Sequence, residues 1–262
     1  MKQISWGCLA LALMLLASAR SVPAQVPSPQ PEDQVMYEVH PGHVSRQVTV
    51  GVLLFPGFEM LDAYGPMEMW GSLKHAPARF WGGEEKRVGV RLVTIAATRG
   101  EIPSNQGPKT VADYSYADSP KLDYLLVPGG SGAVPLVRDT ATLDWLRDQA
   151  TKTKIVMSVC NGASLLAAAG ILDGRPATTN KMAFKASTTP GPKVNWVKQA
   201  RWVDDGTVVS SSGVSAGMDM TVAVISRLYG RLLGDWLEQV TEYDAHRDPA
   251  WDPFAVKAGL VR

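Results

Sequence analysis

The segment IVMSVCNGASLLAAAG constrains this chain more than any other. A nearly unbroken apolar run, Ile155 to Val159, meets the small residues Asn161, Gly162, Ala163 and Ser164, with Cys160 at the joint. A run without polar alternation reads as a strand covered on both faces, the habit of a parallel sheet with helices on either side. The small residues let the backbone turn sharply from that strand into a helix over LLAAAGIL. A thiol at such a turn stands at the end of a sheet, near the positive end of a helix. There the dipole favours thiolate, the nucleophilic form, so a lowered thiol pKa is expected.

The rest of the chain repeats the alternation. VTVGVLLF reads as a first strand, broken by Pro56-Gly57, and Leu61 to Gly71 carries apolar residues at helical spacing. VRLVTIAA (90–97) and DYLLVPGG (123–130) read as further strands. DTATLDWLRDQATK reads as an amphipathic helix with Asp139 or Thr140 as its cap. RWVDDGTVVSSSG reads as a hairpin turning at Asp205-Gly206. VSAGMDMTVAVISRLYG reads as a long helix stopped by Gly230, and GDWLEQVTEYDAHR as a last helix. His75 to Lys86 reads as a long loop. Strands alternating with helices predict an α/β fold, a mostly parallel central sheet sandwiched between helices in three layers.

Ligands of open α/β sheets bind outside the carboxyl ends of the strands. Three segments end there with unusual chemistry: Phe55-Pro56-Gly57, Val127-Pro128-Gly129-Gly130 and Val159-Cys160-Asn161-Gly162. Asp62, near the start of the first helix, is placed to reach over these ends and to hold or move a proton beside Cys160. Glu59 and Glu68 are weaker rivals. Gly129 and Gly130 let backbone N–H groups approach a ligand, and with the N–H groups of Asn161 or Gly162 they are candidates for an oxyanion hole. Ser131 is placed in the same pocket. The four histidines are His40, His43, His75 and His246. Only His246 follows the cysteine; a Cys-His-carboxylate triad would have to recruit it, with Asp248 to orient its ring, and the alternative is a surface or packing role. No metal-ligand set and no phosphate-binding glycine loop is present, so neither metal nor cofactor is expected.

Residues 1–24 read as a secretory signal: Lys2, the apolar LALALMLLA segment, then Val22-Pro23-Ala24 before Gln25. The apolar stretch is short for a membrane span, and no stable membrane insertion is expected after cleavage. Residues 25–46 read as a flexible, Pro-rich leader, and 47–262 as a single domain. Cleavage would remove Cys8, one of two cysteines, and leave Cys160 unable to form an internal disulfide. The expected location is outside the cytoplasm, periplasmic or secreted. The chain's net charge is +1, and it carries no Lys/Arg cluster and no helix-turn-helix signature, so nucleic acid is not an expected partner.

FPGFEMLDAYGP, LLVPGG, SVCNGASLLAAAGILDGRPATTN and SSGVSAGMDM, in that order, resemble the ThiJ/PfpI family over about Gln47 to Asp244. The resemblance implies a flavodoxin-like, class I glutamine amidotransferase-like fold and a homodimer. It pairs an acidic residue after the first strand with the elbow cysteine, here Asp62 and Cys160. An aspartate at that position, in LDAYGPMEMW, is similar to isonitrile hydratase-like members, which add water to an isonitrile and give an N-substituted formamide. Two residues depart from that pattern. Asn161 stands where those members have Thr, and Asn180, grouped here with the substrate-binding residues, where they often have His. Peptidase and glyoxalase-type members carry a glutamate and often a histidine beside the cysteine, and this chain has neither at the matching positions, which ranks those activities below hydration. Members fused to a helix-turn-helix domain share the core, but no such domain is expected after Asp244. The expectation is an exported, cofactor-free hydratase or hydrolase for a small molecule, with Cys160 as nucleophile. The rivals are a non-catalytic redox-sensing or ligand-binding module, in which Cys160 is oxidised, and a glyoxalase- or amidase-type activity.

Overall fold

A computed structural model describes residues 44–262. The signal and leader calls, with Cys8, His40 and His43, fall outside the described residues, apart from the leader's last three positions.

The chain enters the sheet through β1 (Arg46–Leu53), continues into α1 (Met60–Ser72) and a short α2 (Ala78–Trp81), and returns along β2 (Val88–Ala96). A hairpin of β3 (Gly100–Pro103) and β4 (Lys109–Ala112) precedes the two-residue β5 (Tyr114–Ser115) and the central β6 (Tyr124–Val127). Then come α3 (Ala133–Leu136), α4 (Thr140–Lys152), β7 (Ile155–Ser158) and α5 (Gly162–Ala168). The remainder is β8 (Pro176–Ala177), α6 (Phe184–Thr188), β9 (Asn195–Trp196), β10 (Trp202–Asp204), β11 (Val208–Ser211), α7 (Ala216–Tyr229), α8 (Arg231–Thr241) and α9 (Pro253–Lys257).

Seven strands form the main sheet in the order β10-β11-β7-β6-β1-β2-β5, parallel except for the edge strand β10. Every residue of β6, β7 and β11 is buried, which matches the apolar sequences of β6 and β7; in β11 the two serines, Ser210 and Ser211, are buried as well. α1, α7 and α8 pack together on one face, and α3 and α4 pack with α5 on the other. This is the three-layer α/β/α sandwich expected from the alternation.

Local chemistry explains the element ends. The Asp139 carboxylate accepts the Thr142 N–H at 2.8 Å and caps α4. The β10–β11 hairpin turns at Asp205-Gly206 as expected, and Gly230 ends α7. Two readings are corrected. Residues 75–86 are not a loop: α2 lies there, and buried Trp81 packs edge-on against Tyr229 at 5.4 Å. The last helix does not run through His246. α8 stops at Thr241, where Glu242 takes a left-handed conformation (φ 49°), and a further helix, α9, follows after an irregular stretch.

One aromatic cluster ties the helices of one face to the sheet. Trp70 of α1 stacks on Tyr124 of β6 at 4.9 Å, and the Tyr124 hydroxyl bonds that of Tyr229 in α7 at 2.9 Å. Burying large aromatic surface here fixes α1 against β6, and with it the position of Asp62 one helical stretch earlier.

Candidate active site

Cys160 lies in the turn between β7 and α5, just before the helix N-cap Asn161, and its backbone is left-handed with φ 57°. A non-glycine residue in this region costs on the order of 1–3 kcal/mol and persists only when its surroundings hold it. They do so at both peptide groups. The Cys160 N–H donates to the Ser212 carbonyl at 3.1 Å, and the Thr179 hydroxyl donates to the Cys160 carbonyl at 2.9 Å. The elbow is thereby clamped between β11's exit and the loop after β8.

The glycines around it are dictated by close approach. A Cβ on Gly162 would sit 2.3 Å from the Val127 carbonyl oxygen, and one on Gly129 would sit 2.8 Å from the Asn161 nitrogen. Only glycine lets the β6 and β7 turns come this close.

Asp62 is fully buried in the first turn of α1. Its Oδ2 accepts the Gly129 N–H at 2.8 Å, while Oδ1 has no oxygen or nitrogen partner. The Cys160 thiol interacts with this carboxyl group and favours its anion. Burial outweighs that help and the Gly129 bond, and with the nearby Glu59 charge it raises the Asp62 pKa to about 8. The carboxyl group is therefore mostly protonated at neutral pH.

The thiol does not behave as its place at a helix start suggests. Burial, reinforced by Asp62, pushes the Cys160 pKa up to about 12, against the pull of the Asn161 N–H and the Asn180 side chain. The expectation of a lowered pKa is thus corrected. Desolvation of a thiol only 7 % exposed outweighs a seven-residue helix and two hydrogen-bond donors. The resting pair is a thiol beside a carboxylic acid.

The other expected residues are distributed as follows. Asn180 donates from Nδ2 to Cys160 Sγ at 3.2 Å and is held by the Ala183 N–H on its Oδ1 at 2.9 Å. Asn161 turns its side chain away from the sulfur. Its Oδ1 accepts the Gly130 N–H at 2.7 Å and its Nδ2 donates to the Gly130 carbonyl at 3.0 Å, stapling the two turns together. The N–H groups of Gly129, Gly130 and Gly162 all have acceptors, the last being the Val159 carbonyl at 2.9 Å. Of the four amides considered for an oxyanion hole, the one that addresses Cys160 is that of Asn161. Ser131 is exposed and donates to Asn105 Oδ1 at 2.7 Å. Glu59 hydrogen-bonds Gln106, and Glu68 accepts from Ser72 at 3.1 Å. His246 is exposed with its ring stacked on Trp251 at 3.7 Å, and the Asp248 carboxylate accepts the Ala250 N–H rather than orienting that ring.

Two contributors escape sequence reading. Thr179 and the Ser212 carbonyl hold the strained elbow, and nothing in ATTN or SSSG marks them for it. A cavity of about 290 Å³ adjoins the site, lined by Leu61, Asn180, Met182, Val214 and Phe254 among others. Among the described residues no group of three or more His, Cys, Asp or Glu side chains is arranged to hold a metal, and no helix is long and apolar enough to cross a membrane.

A buried acid facing a thiol on a strained strand-to-helix turn, at the carboxyl ends of a parallel sheet, defines a cysteine-elbow protein of the α/β class. Residues 48–227 match the DJ-1/PfpI family model, and the chain belongs to that family. It is 35% identical to an isonitrile hydratase of Pseudomonas putida over 69% of this chain and 72% of that one. It is 26% identical to the transcriptional regulator GbdR of Pseudomonas aeruginosa over 76% of this chain, but it spans only 52% of that protein. Among solved structures, a ThiJ/PfpI family protein from Pseudomonas syringae superposes with a TM-score of 0.66 at 25% identity, covering 91% of this chain and 92% of that one.

Proposed function

We propose that this protein is an exported isonitrile hydratase-type enzyme in which Cys160 is the nucleophile and Asp62 the acid–base group. One observation carries the reading. The Asp62 carboxyl is buried and interacts with the thiol, with Oδ2 fixed on Gly129 and Oδ1 without a hydrogen-bond partner, and its pKa is raised to about 8. A carboxylic acid kept protonated at neutral pH is the group needed to protonate an isonitrile carbon. The similarity to the Pseudomonas putida hydratase supports this choice of substrate class.

The reaction conserves atoms as follows. Asp62 delivers its proton to the isonitrile carbon while Cys160 sulfur bonds to the same carbon. The thiol's proton passes to the Asp62 carboxylate, leaving a thioimidate. Water then adds to that carbon and one of its protons reaches nitrogen. The carbon–sulfur bond breaks, the other water proton returns to sulfur, and an N-substituted formamide leaves. The Asn161 N–H and Asn180 Nδ2 steady negative charge on sulfur as it departs. No cofactor enters these steps. The test is incubation with a simple alkyl isonitrile, formamide being followed by NMR. Formation by the wild type above the background of Cys160→Ala supports the reading; equal rates overturn the substrate.

Export rests on residues 1–24 and predicts a native N-terminus at or near Gln25 by intact-mass measurement. A homodimer follows from the family resemblance and is checked by light scattering.

A further inference from the structure

The irregular stretch after α8 and the short α9 lie beyond the 48–227 family match, yet they return to the site. Two buried ion pairs bring them there. Asp219 Oδ2 accepts Arg201 Nε at 2.6 Å, while its Oδ1 accepts the Tyr243 hydroxyl at 2.7 Å and the His246 N–H at 2.9 Å. The Arg201 N–H in turn donates to the Pro249 carbonyl at 2.7 Å. Further on, Lys181 Nζ lies 3.2 Å from Asp252 Oδ2, with the lysine side chain 1% and the aspartate 0% exposed. Lys181 directs its three protons at Thr178 Oγ1, the Thr179 carbonyl and the Ala200 carbonyl, so its contact with Asp252 is one of charge rather than a fourth hydrogen bond. Asp252 Oδ1 caps α9 by accepting the Phe254 N–H at 3.0 Å.

This anchor sets Phe254 into the wall of the cavity beside Cys160. Leu61, the neighbour of Asp62, Met182 and Val214 supply the other large carbon surfaces, and Asn180 joins the cavity to the sulfur. Phe254 is 45% and Met182 88% exposed, an unusual amount of apolar surface at the mouth of a small pocket. The one charged side chain among the lining residues, Lys181, is neutralised by Asp252 and turned into the protein. Such a pocket has nothing to pair with a charged group and much to offer a hydrocarbon one.

We propose that Phe254 is a specificity-determining residue: with Leu61, Met182 and Val214 it receives the apolar substituent of a neutral small-molecule electrophile whose reacting carbon faces Cys160. Asp252, through Lys181, is the positioning residue that keeps Phe254 there. The inference deepens the hydratase reading by naming the substituent, an uncharged alkyl or aryl group of modest size rather than a charged or sugar-like one. Its test does not need turnover.

The probes are iodoacetamide and N-benzyl iodoacetamide, which share one reacting carbon and differ in an apolar group. Cys160 is the sole thiol among the described residues, and with the substitution Cys8→Ser in the test protein intact mass reads its alkylation directly. The fraction of reactive thiolate is common to both reagents and cancels in the ratio of their rate constants. The wild type is expected to favour the benzyl reagent at least about fivefold over the ratio shown by free cysteine. Phe254→Ala should bring that ratio down to the free-cysteine value, and Phe254→Leu should restore part of it. N-benzylformamide should slow labelling of the wild type at concentrations where formamide does not. A wild-type ratio equal to that of free cysteine, or a ratio unmoved in Phe254→Ala, overturns the proposal. A change of oligomeric state in Phe254→Ala without a change in ratio also overturns it, and assigns the patch to a second copy of the chain. Absence of formamide from isonitrile with the labelling preference intact would sink the hydratase reading alone. Turnover that ignores the substituent, with no labelling preference, would sink this inference alone.

Discussion

The elbow around Cys160 and the segment from Glu242 to Ala258 both converge on one small site, but they are held by different forces. At the elbow, backbone meets backbone. Gly129 and Gly162 allow turns to touch, the Ser212 carbonyl takes the Cys160 N–H, and a single side-chain hydroxyl completes the clamp. The C-terminal segment has almost no regular structure and hangs on two buried ion pairs, Arg201–Asp219 and Lys181–Asp252. Geometry set by backbone is rigid and suits bond making. Attachment through a few buried charges fixes a segment's place while leaving its outward residues free to differ, which suits recognition. Damage to the elbow should therefore appear in rate, and damage to the anchors in stability and selectivity.

The largest effects should fall on the chemistry. Cys160→Ala should remove nearly all formamide production, and Asp62→Asn should lower kcat by about 10²–10⁴-fold, the range for a positioned acid–base group. Asp62 also gives the comparison a pH signature. Its pKa rises from 3.8 in the unfolded chain to about 8 in the fold, so the folded state holds the extra proton between those values. The stability this brings is complete below pH 3.8 and is lost as pH climbs to about 8, at about 1.4 kcal/mol per unit. Thermal melts of wild type from pH 4 to 8 should show that decline, and Asp62→Asn should flatten it. The rate should fall above about pH 8 as the acid ionises; a rate that keeps rising there would break the assignment of Asp62 as acid.

Next in size is the anchor. Asp219→Ala leaves Arg201 buried and uncompensated, with the Tyr243 hydroxyl and the His246 N–H unpaired, and should cost about 3–5 kcal/mol in urea denaturation. Thr179→Val is nearly isosteric and strips only the donor from the Cys160 carbonyl. It should cost about 1–3 kcal/mol, the penalty for an unpaired buried acceptor. Yet it should lower kcat on the order of tenfold to a hundredfold, because the sulfur shifts when its backbone relaxes. If Asp219→Ala slows chemistry more than Thr179→Val does, the division between the two regions fails.

The same division governs what could be read from the amino-acid order. The sheet, its helices and the Cys160 turn announce themselves because IVMSV and DYLLV are unbroken apolar runs and the turns that follow them need small residues. Asp62 was legible from its place after the first strand breaker. Thr179 was not, since a hydroxyl that braces a carbonyl 19 positions away leaves no periodic trace. Phe254 is illegible in the sequence for a related reason. Lys181, Asp219 and Asp252 have the composition of solvated surface, and only the folded chain shows them buried and paired. The β3–β4 hairpin leaves little trace in the sequence because its short strands are largely polar and exposed. The thiol pKa departs from its sequence expectation because helix position can be read from sequence and desolvation cannot.

The smallest effect sharpens the comparison within the C-terminal segment itself. Arg247 reaches Asp235 and Glu238 of α8 and helps to attach the same irregular stretch that Asp219 anchors. Its side chain is 40% exposed, so water and salt screen the attraction, and ordering a long side chain offsets much of what remains. Arg247→Ala should therefore cost less than about 1 kcal/mol, and that cost should shrink toward zero in 0.5 M NaCl. The loss in Asp219→Ala should persist in the same salt, because the buried guanidinium of Arg201 stays beyond the reach of ions. Urea melts of both variants at low and high salt measure the contrast. Equal losses, or equal salt sensitivity, would mean that the segment is attached by its surface charges and that burial of Arg201 and Asp219 is not what holds it in place.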